Sequence, residues 1–160
     1  MRTAAIALGS NLASDWGDPE GALHEAIERV RELGKVRAVS SFYETGPVGY
    51  TDQPNFQNAA LLLETELEPE ELMRALLAIE RAMGRDRTTA PPKGPRIIDL
   101  DLLLLDDAIL ATRELKLPHP AMAARRFVLE PLAEIAPSMV HPTSGHTVAE
   151  LLARWSADHA

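Results

Sequence analysis

The chain has no cysteine, which excludes disulfides and thiolate metal sites and leaves oxygen and imidazole as the only strong metal ligands. It has no apolar run long enough to span a bilayer. The apolar stretch at residues 4–8 is too short for a signal-peptide core, so the expected location is the cytoplasm. Positive charge is in deficit: 16 Lys and Arg against 24 Asp and Glu give a net charge of −8. That argues against a broad nucleic-acid or acidic-membrane surface. An anionic small molecule is still compatible, because local charge governs such a site. No internal repeat, low-complexity stretch or linker is visible. The 160 residues fit one domain spanning 1–160, able to bury about 70% of the surface its unfolded chain exposes.

What is present is concentrated in one segment. Residues 93–105 read Lys-Gly-Pro-Arg-Ile-Ile-Asp-Leu-Asp-Leu-Leu-Leu-Leu, the pattern of a buried strand with two acids set into it. Side chains alternate along a strand, so Asp99 and Asp101 share a face, with Cα atoms roughly 6.5–7 Å apart. Ile98, Leu100, Leu102 and Leu104 are expected on the opposite face, in a core. Two carboxylates beside an apolar run repel each other and resist desolvation. A hard divalent cation relieves both costs, and Mg²⁺ is typically held by one or two carboxylates plus substrate phosphates. Arg96 is within reach of such a phosphate. Taken bare, an Asp-x-Asp triplet is more often a turn or a solvated face; the flanking leucines favour a central strand. Asp106-Asp107 end the run as a turn. Arg85, Arg87, Lys93 and Arg96 fall within twelve residues, and Arg125-Arg126 form a second basic spot. Both can converge on a polyphosphate, or the second pair can be simply solvated.

The order of elements follows from local signals. Residues 3–8 form a first strand. Asp18-Pro19-Glu20 is a helix start, and Leu23, Ile27, Val30 and Leu33 keep helical spacing to a stop at Gly34. Residues 36–43 form one strand and 56–64 another. Glu68-Pro69-Glu70-Glu71 opens a second helix with Leu72, Leu76, Ile79 and Met83 on its buried face. With the acid-bearing strand this is β-α-β-β-α-β, an α+β fold: a ferredoxin-like antiparallel sheet with two helices. C-terminal additions follow: a short strand at 115–117 and helices at 126–134 and 148–155. The connections at 44–54 and 84–95 exceed ordinary lengths and are expected to close over one site.

Several segments in order now carry a resemblance. They are Ala7-Leu8-Gly9-Ser10-Asn11-Leu12, Val39-Ser40-Ser41-Phe42-Tyr43-Glu44-Thr45, Asp52-Gln53-Pro54-Asn55-Phe56-Gln57-Asn58, Gly94-Pro95-Arg96-Ile97-Ile98-Asp99-Leu100-Asp101, Leu117-Pro118-His119-Pro120 and Arg125-Arg126-Phe127-Val128-Leu129-Glu130-Pro131-Leu132. Together, over residues 4–140, they resemble the 6-hydroxymethyl-7,8-dihydropterin pyrophosphokinases of folate biosynthesis. The resemblance implies a transferase that moves pyrophosphate from ATP to the pterin hydroxymethyl group and releases AMP.

It also implies roles. Asp99 and Asp101 would hold two Mg²⁺ ions, with Arg85 and Arg96 as catalytic arginines. Glu80, Arg87, Arg96, His119 and Arg125 would contact the nucleotide or its phosphates. Phe56 and Phe127 would stack on the pterin, Asn58 would read its edge, and Thr45, Gly46 and Val48 would meet it from the first loop. On apolar character alone, Phe56 and Phe127 are core residues. Lys93 stands where members often carry tryptophan, and Pro120 where an aromatic often follows the histidine. The implied partners are the two small substrates, with no nucleic acid or membrane, and the expected state is a monomer.

Two other readings stay open: a metal-dependent nucleotidyl transferase, which would release pyrophosphate, and a non-catalytic nucleotide- or pterin-binding domain. A zinc site from His119, His141 and His146 is a further alternative, although no pair of them has one-face helical spacing.

Overall fold

The computed structural model describes residues 1–46, 52–84 and 96–160. Strand β1 (Arg2–Ser10) is followed by α1 (Pro19–Val30), β2 (Lys35–Val39), β3 (Tyr43–Thr45), β4 (Phe56–Thr65), α2 (Pro69–Ala82) and β5 (Asp99–Leu105). A small hairpin, β6 (Leu110–Ala111) with β7 (Lys116–Leu117), precedes α3 (Arg126–Ile135) and α4 (Val148–Asp158). The main sheet runs β2-β4-β1-β5, each pairing antiparallel, with β3 also on β4. This is the strand order of a ferredoxin-like sheet.

Both α1 and α2 start where their caps dictate. Asp18 Oδ1 accepts from Gly21 N–H at 3.1 Å, and Pro19 takes the first helical position. Glu68 and Glu71 form a reciprocal capping box on α2. The first helix ends at Val30, with one 3₁₀ turn over Arg31–Leu33. Gly34 is required there by close approach: a Cβ would lie 2.1 Å from the Glu64 carbonyl oxygen.

The sheet separates two cores. Ala4, Ile6 and Leu8 of β1 and Leu61 and Leu63 of β4 face α1 and α2. Ala5, Ala7 and Ala60 face the other way, against Val128, Leu129 and Leu132 of α3 and Val148 and Leu151 of α4. The C-terminal additions are thus a third layer that buries the second face of the sheet.

Two expectations need correction. Leu104 does not share the face of Leu100 and Leu102. The β1–β5 register slips between Ala5 and Ile6, so that Leu103 and Leu104 both join the α3–α4 core. A bulge of this kind resets the alternation. Residues 36–43 are also not one strand. The Ser40 hydroxyl accepts from Ala60 N–H at 2.9 Å, taking the donor that a ladder carbonyl would use. Pairing resumes at Tyr43 opposite Asn58. Asp106-Asp107 form a turn as expected, with Asp106 Oδ1 accepting from Thr3 N–H at 3.0 Å.

Candidate active site

Alternation places Asp99 and Asp101 on the α3 side of the sheet, in line with Leu103, and places Phe56 and Asn58 in line with Ala60. Gly9 and Ala7 of β1 lie between the two strands in register, Gly9 opposite both Asp99 and Asn58. The side chains on this central strand are minimal. The floor is therefore low, and a cleft of about 750 Å³ opens above it. Its walls include Thr45, Gly46, Phe56, Asn58, Arg96, Asp99, Asp101, Arg125 and Phe127. A Cβ at Gly9 would come within 3.2 Å of Asn58 Oδ1. Glycine here keeps the floor clear of the amide.

One end of the cleft is charged. Arg96 Nη1 donates to Asp99 Oδ2 at 3.2 Å, with both side chains about one-fifth exposed (19% and 20%). Arg125 lies 5.7 Å from the Phe127 ring centre, its cation over the ring face. His119 is held near this end: its pKa is lowered, first by burial and then by Arg125, with Asp99 acting in the opposite direction. Ala121 N–H donates to its Nδ1 at 3.1 Å, so the neutral ring carries its proton on Nε2. Phe56, Phe127, Asn58 and Thr45 line the rest of the cleft. Asn58 Nδ2 donates to the Thr45 hydroxyl, which orients the amide in the cleft that Phe56 and Phe127 also line.

Most of the residues expected from the sequence therefore converge. Thr45, Gly46, Phe56, Asn58, Arg96, Asp99, Asp101, Arg125 and Phe127 line one cleft, with His119 beside it. Val48, Arg85, Arg87 and Lys93 lie outside the described residues. Glu80 is in a different position from the others. It is buried (2% exposed) and accepts from Leu100 N–H at 2.7 Å, between the two acids in sequence, and it is not a wall of the cleft.

Asn11, one residue of the motif that closes the first strand, organises the entrance. It is 2% exposed, its main chain donates to Arg96 O at 3.0 Å and its Oδ1 accepts from Arg96 N–H at 2.8 Å. Its Nδ2 donates to Gln53 Oε1 at 2.9 Å and to Pro54 O at 3.0 Å. The two long connections are thus tied together where they re-enter the sheet. An asparagine closing a buried strand was the available signal.

Asp99 and Asp101 suit a cation that keeps water and substrate oxygens in its shell, as Mg²⁺ does. Among the described residues no three His, Asp or Glu side chains converge as a complete protein cage. The zinc alternative built on His119, His141 and His146 therefore has no support there. Among the same residues no helix is long and apolar enough to cross a membrane.

An antiparallel α+β sheet with an acid pair, neighbouring cations and two rings lining a cleft over one face is the arrangement that phosphate transfer to a flat substrate calls for. Comparison with known proteins narrows this. Residues 5–137 match the family model described as 7,8-dihydro-6-hydroxymethylpterin-pyrophosphokinase (HPPK), and the chain belongs to that family. The 2-amino-4-hydroxy-6-hydroxymethyldihydropteridine pyrophosphokinase of Pseudomonas aeruginosa is 46% identical over 148 residues, covering 92% of this chain and 88% of the relative. The folic acid synthesis protein fol1 of Schizosaccharomyces pombe is 37% identical over 94% of this chain, which spans only 20% of that longer protein. Among solved structures, Plasmodium falciparum HPPK-DHPS with pteroate superposes with a TM-score of 0.74 at 16% identity, over 98% of this chain and 42% of the other. That likeness is one of fold.

Proposed function

We propose that this chain, as one pyrophosphokinase domain over residues 1–160, transfers pyrophosphate from ATP to 6-hydroxymethyl-7,8-dihydropterin in folate biosynthesis. The products are the pterin diphosphate and AMP. The observation that carries this reading is the convergence of two chemistries in one cleft: an acid pair with cations at one end, and a ring-walled slot with a fixed amide at the other. The pterin hydroxymethyl oxygen bonds to the β-phosphorus of ATP. The bond from that phosphorus to the α–β bridging oxygen breaks, AMP leaves with the bridging oxygen, and the hydroxyl proton passes to solvent.

Transfers of this kind depend on positioning and charge neutralisation more than on covalent chemistry. Phe56 and Phe127 sandwich the flat ring, and Asn58, oriented by Thr45, pairs with its amide-like edge. Gly46 and Val48 meet the ring from the first connection. Arg96 presents a fork of N–H donors, of which Nη1 is already on Asp99, so one side chain links the acid pair to a phosphate. Arg125 and the Nε2–H of neutral His119 donate to the nucleotide, together with Arg85 and Arg87 of the second connection. Glu80 completes the nucleotide side by holding Leu100, and with it the strand that presents both acids. Asp99 and Asp101 would hold two Mg²⁺ ions. Bound there, Mg²⁺ supplies positive charge to the triphosphate and acidifies the attacking hydroxyl.

The reading takes the chain as a monomer acting on two small substrates, without nucleic acid or membrane. The reading places the reaction in the cytoplasm, where ATP is abundant. The test is an omission assay with purified protein, resolving nucleotides by ion exchange. AMP is expected only when ATP, Mg²⁺ and the pterin are all present. Release of free pyrophosphate would favour nucleotidyl transfer, and ATP binding without turnover would favour a binding domain.

A further inference from the structure

Away from the cleft, one carboxylate gathers three donors from a single short segment. Glu134, near the end of α3, accepts from Ser41 N–H at 3.0 and 3.1 Å, from Ser41 Oγ at 3.1 Å and from Tyr43 Oη at 2.6 Å. The periodicity of the helix puts Phe127, Glu130 and Glu134 on one face. Alternation puts Tyr43 and Thr45 on one face of β3, opposite Asn58 and Phe56 in register. The two elements meet directly at Glu134 and Tyr43, and both line the cleft, through Phe127 and Thr45.

A second cleft of about 920 Å³ has Tyr43, Thr45, Phe127, Glu130 and Pro131 among its walls. Pro131 sits inside α3 and has no N–H, so the Phe127 carbonyl lacks its usual helical donor. Among the described residues, the hydrogen bonds to Glu134 fasten Ser41, and Tyr43 of β3, directly to α3.

We propose that Glu134 is a positioning residue: by tying Ser41 and Tyr43 to α3, it fixes the width of the slot between Phe127 and the Thr45–Asn58 pair, and so the affinity for the pterin. This rests on reading that slot as the pterin site. Glu134 itself does not border it.

The test compares Glu134→Ala, Glu134→Gln and Tyr43→Phe in the full chain by the AMP assay, with thermal melts to establish folding. Glu134→Ala should raise the pterin KM by about tenfold, with the ATP KM and kcat within about twofold of the native values. Glu134→Gln, which keeps an acceptor for the phenol, should restore most of the loss. If Glu134→Ala does not fold, Tyr43→Phe carries the same test, because it removes only the phenolic donor. An unmoved pterin KM in the folded variants, or equal rises for both substrates, would overturn the proposal while native turnover stands. Absence of pterin-dependent AMP in the native protein would overturn the reading of the slot and this proposal with it.

Discussion

Asn11 and Arg96 hold each other through a closed pair of hydrogen bonds, at 2.8 and 3.0 Å, that uses both main-chain polar groups of the arginine. The Arg96 side chain in turn reaches Asp99. A buried asparagine thus sets the backbone from which a cation meets the acid pair. Asn11→Ala leaves the partly buried Arg96 N–H without its acceptor, at a cost of about 1–2 kcal/mol in stability. It also frees residues 53 and 54 from the same anchor. Turnover should fall by at least about tenfold, beyond what the stability loss explains. Steady-state kinetics beside a melting curve check this. Asn11→Asp, which keeps the acceptor for Arg96 but loses both Nδ2 donors, separates the two attachments.

Neutralising either acid should separate binding from chemistry. Asp99→Asn or Asp101→Asn should lower kcat by about 10²–10³-fold, because the charge stabilisation of the transferring phosphates is lost. Pterin affinity, set at the other end of the cleft, should change little. Calorimetry with each ligand and single-turnover kinetics check the split. Near-normal turnover in both variants would remove the metal assignment.

Phe127→Ala removes one wall of the slot and the ring beneath Arg125. Stacking of this kind contributes about 0.5–1.5 kcal/mol beyond the area buried, so pterin binding should weaken by about tenfold or more. ATP affinity should stay near native. Titration of each ligand separately provides the measurement.

His119 should titrate below the ordinary histidine range, because burial and the Arg125 cation both disfavour its charged form. The folded ring binds a proton more weakly than the unfolded one. Its contribution to stability is therefore intact above the usual histidine pKa and is lost as the pH falls through the folded value. An NMR titration of the ring protons gives the midpoint directly. A midpoint above the ordinary value would contradict the neutral donor assigned to Nε2.

Much of the site was legible because its signals are local. A Pro after a capping acid starts α1 and α2 whatever the rest of the chain does. Two-residue alternation is enough to align Asp99 with Asp101, and Phe56 with Asn58. What the sequence hid depends on pairing partners. Leu104 changes face because β5 slips against β1, and no feature of its own strand encodes that slip. The break after Val39 arises from a hydroxyl competing for one donor across the sheet. Glu80 matched an acid of the nucleotide site, but its hydrogen bond to Leu100 depends on how α2 lies along the edge of β5. Asn11 and Glu134 act through contacts 85 and 93 residues away, which periodicity does not report.

The central claim is the transfer of an intact pyrophosphoryl group, and ³¹P NMR of the complete reaction tests it most directly. The account predicts that ATP resonances are replaced by AMP and by the coupled pair of a pterin diphosphate in equal amounts. ADP with a pterin monophosphate, or AMP-bearing product with free pyrophosphate, would contradict it.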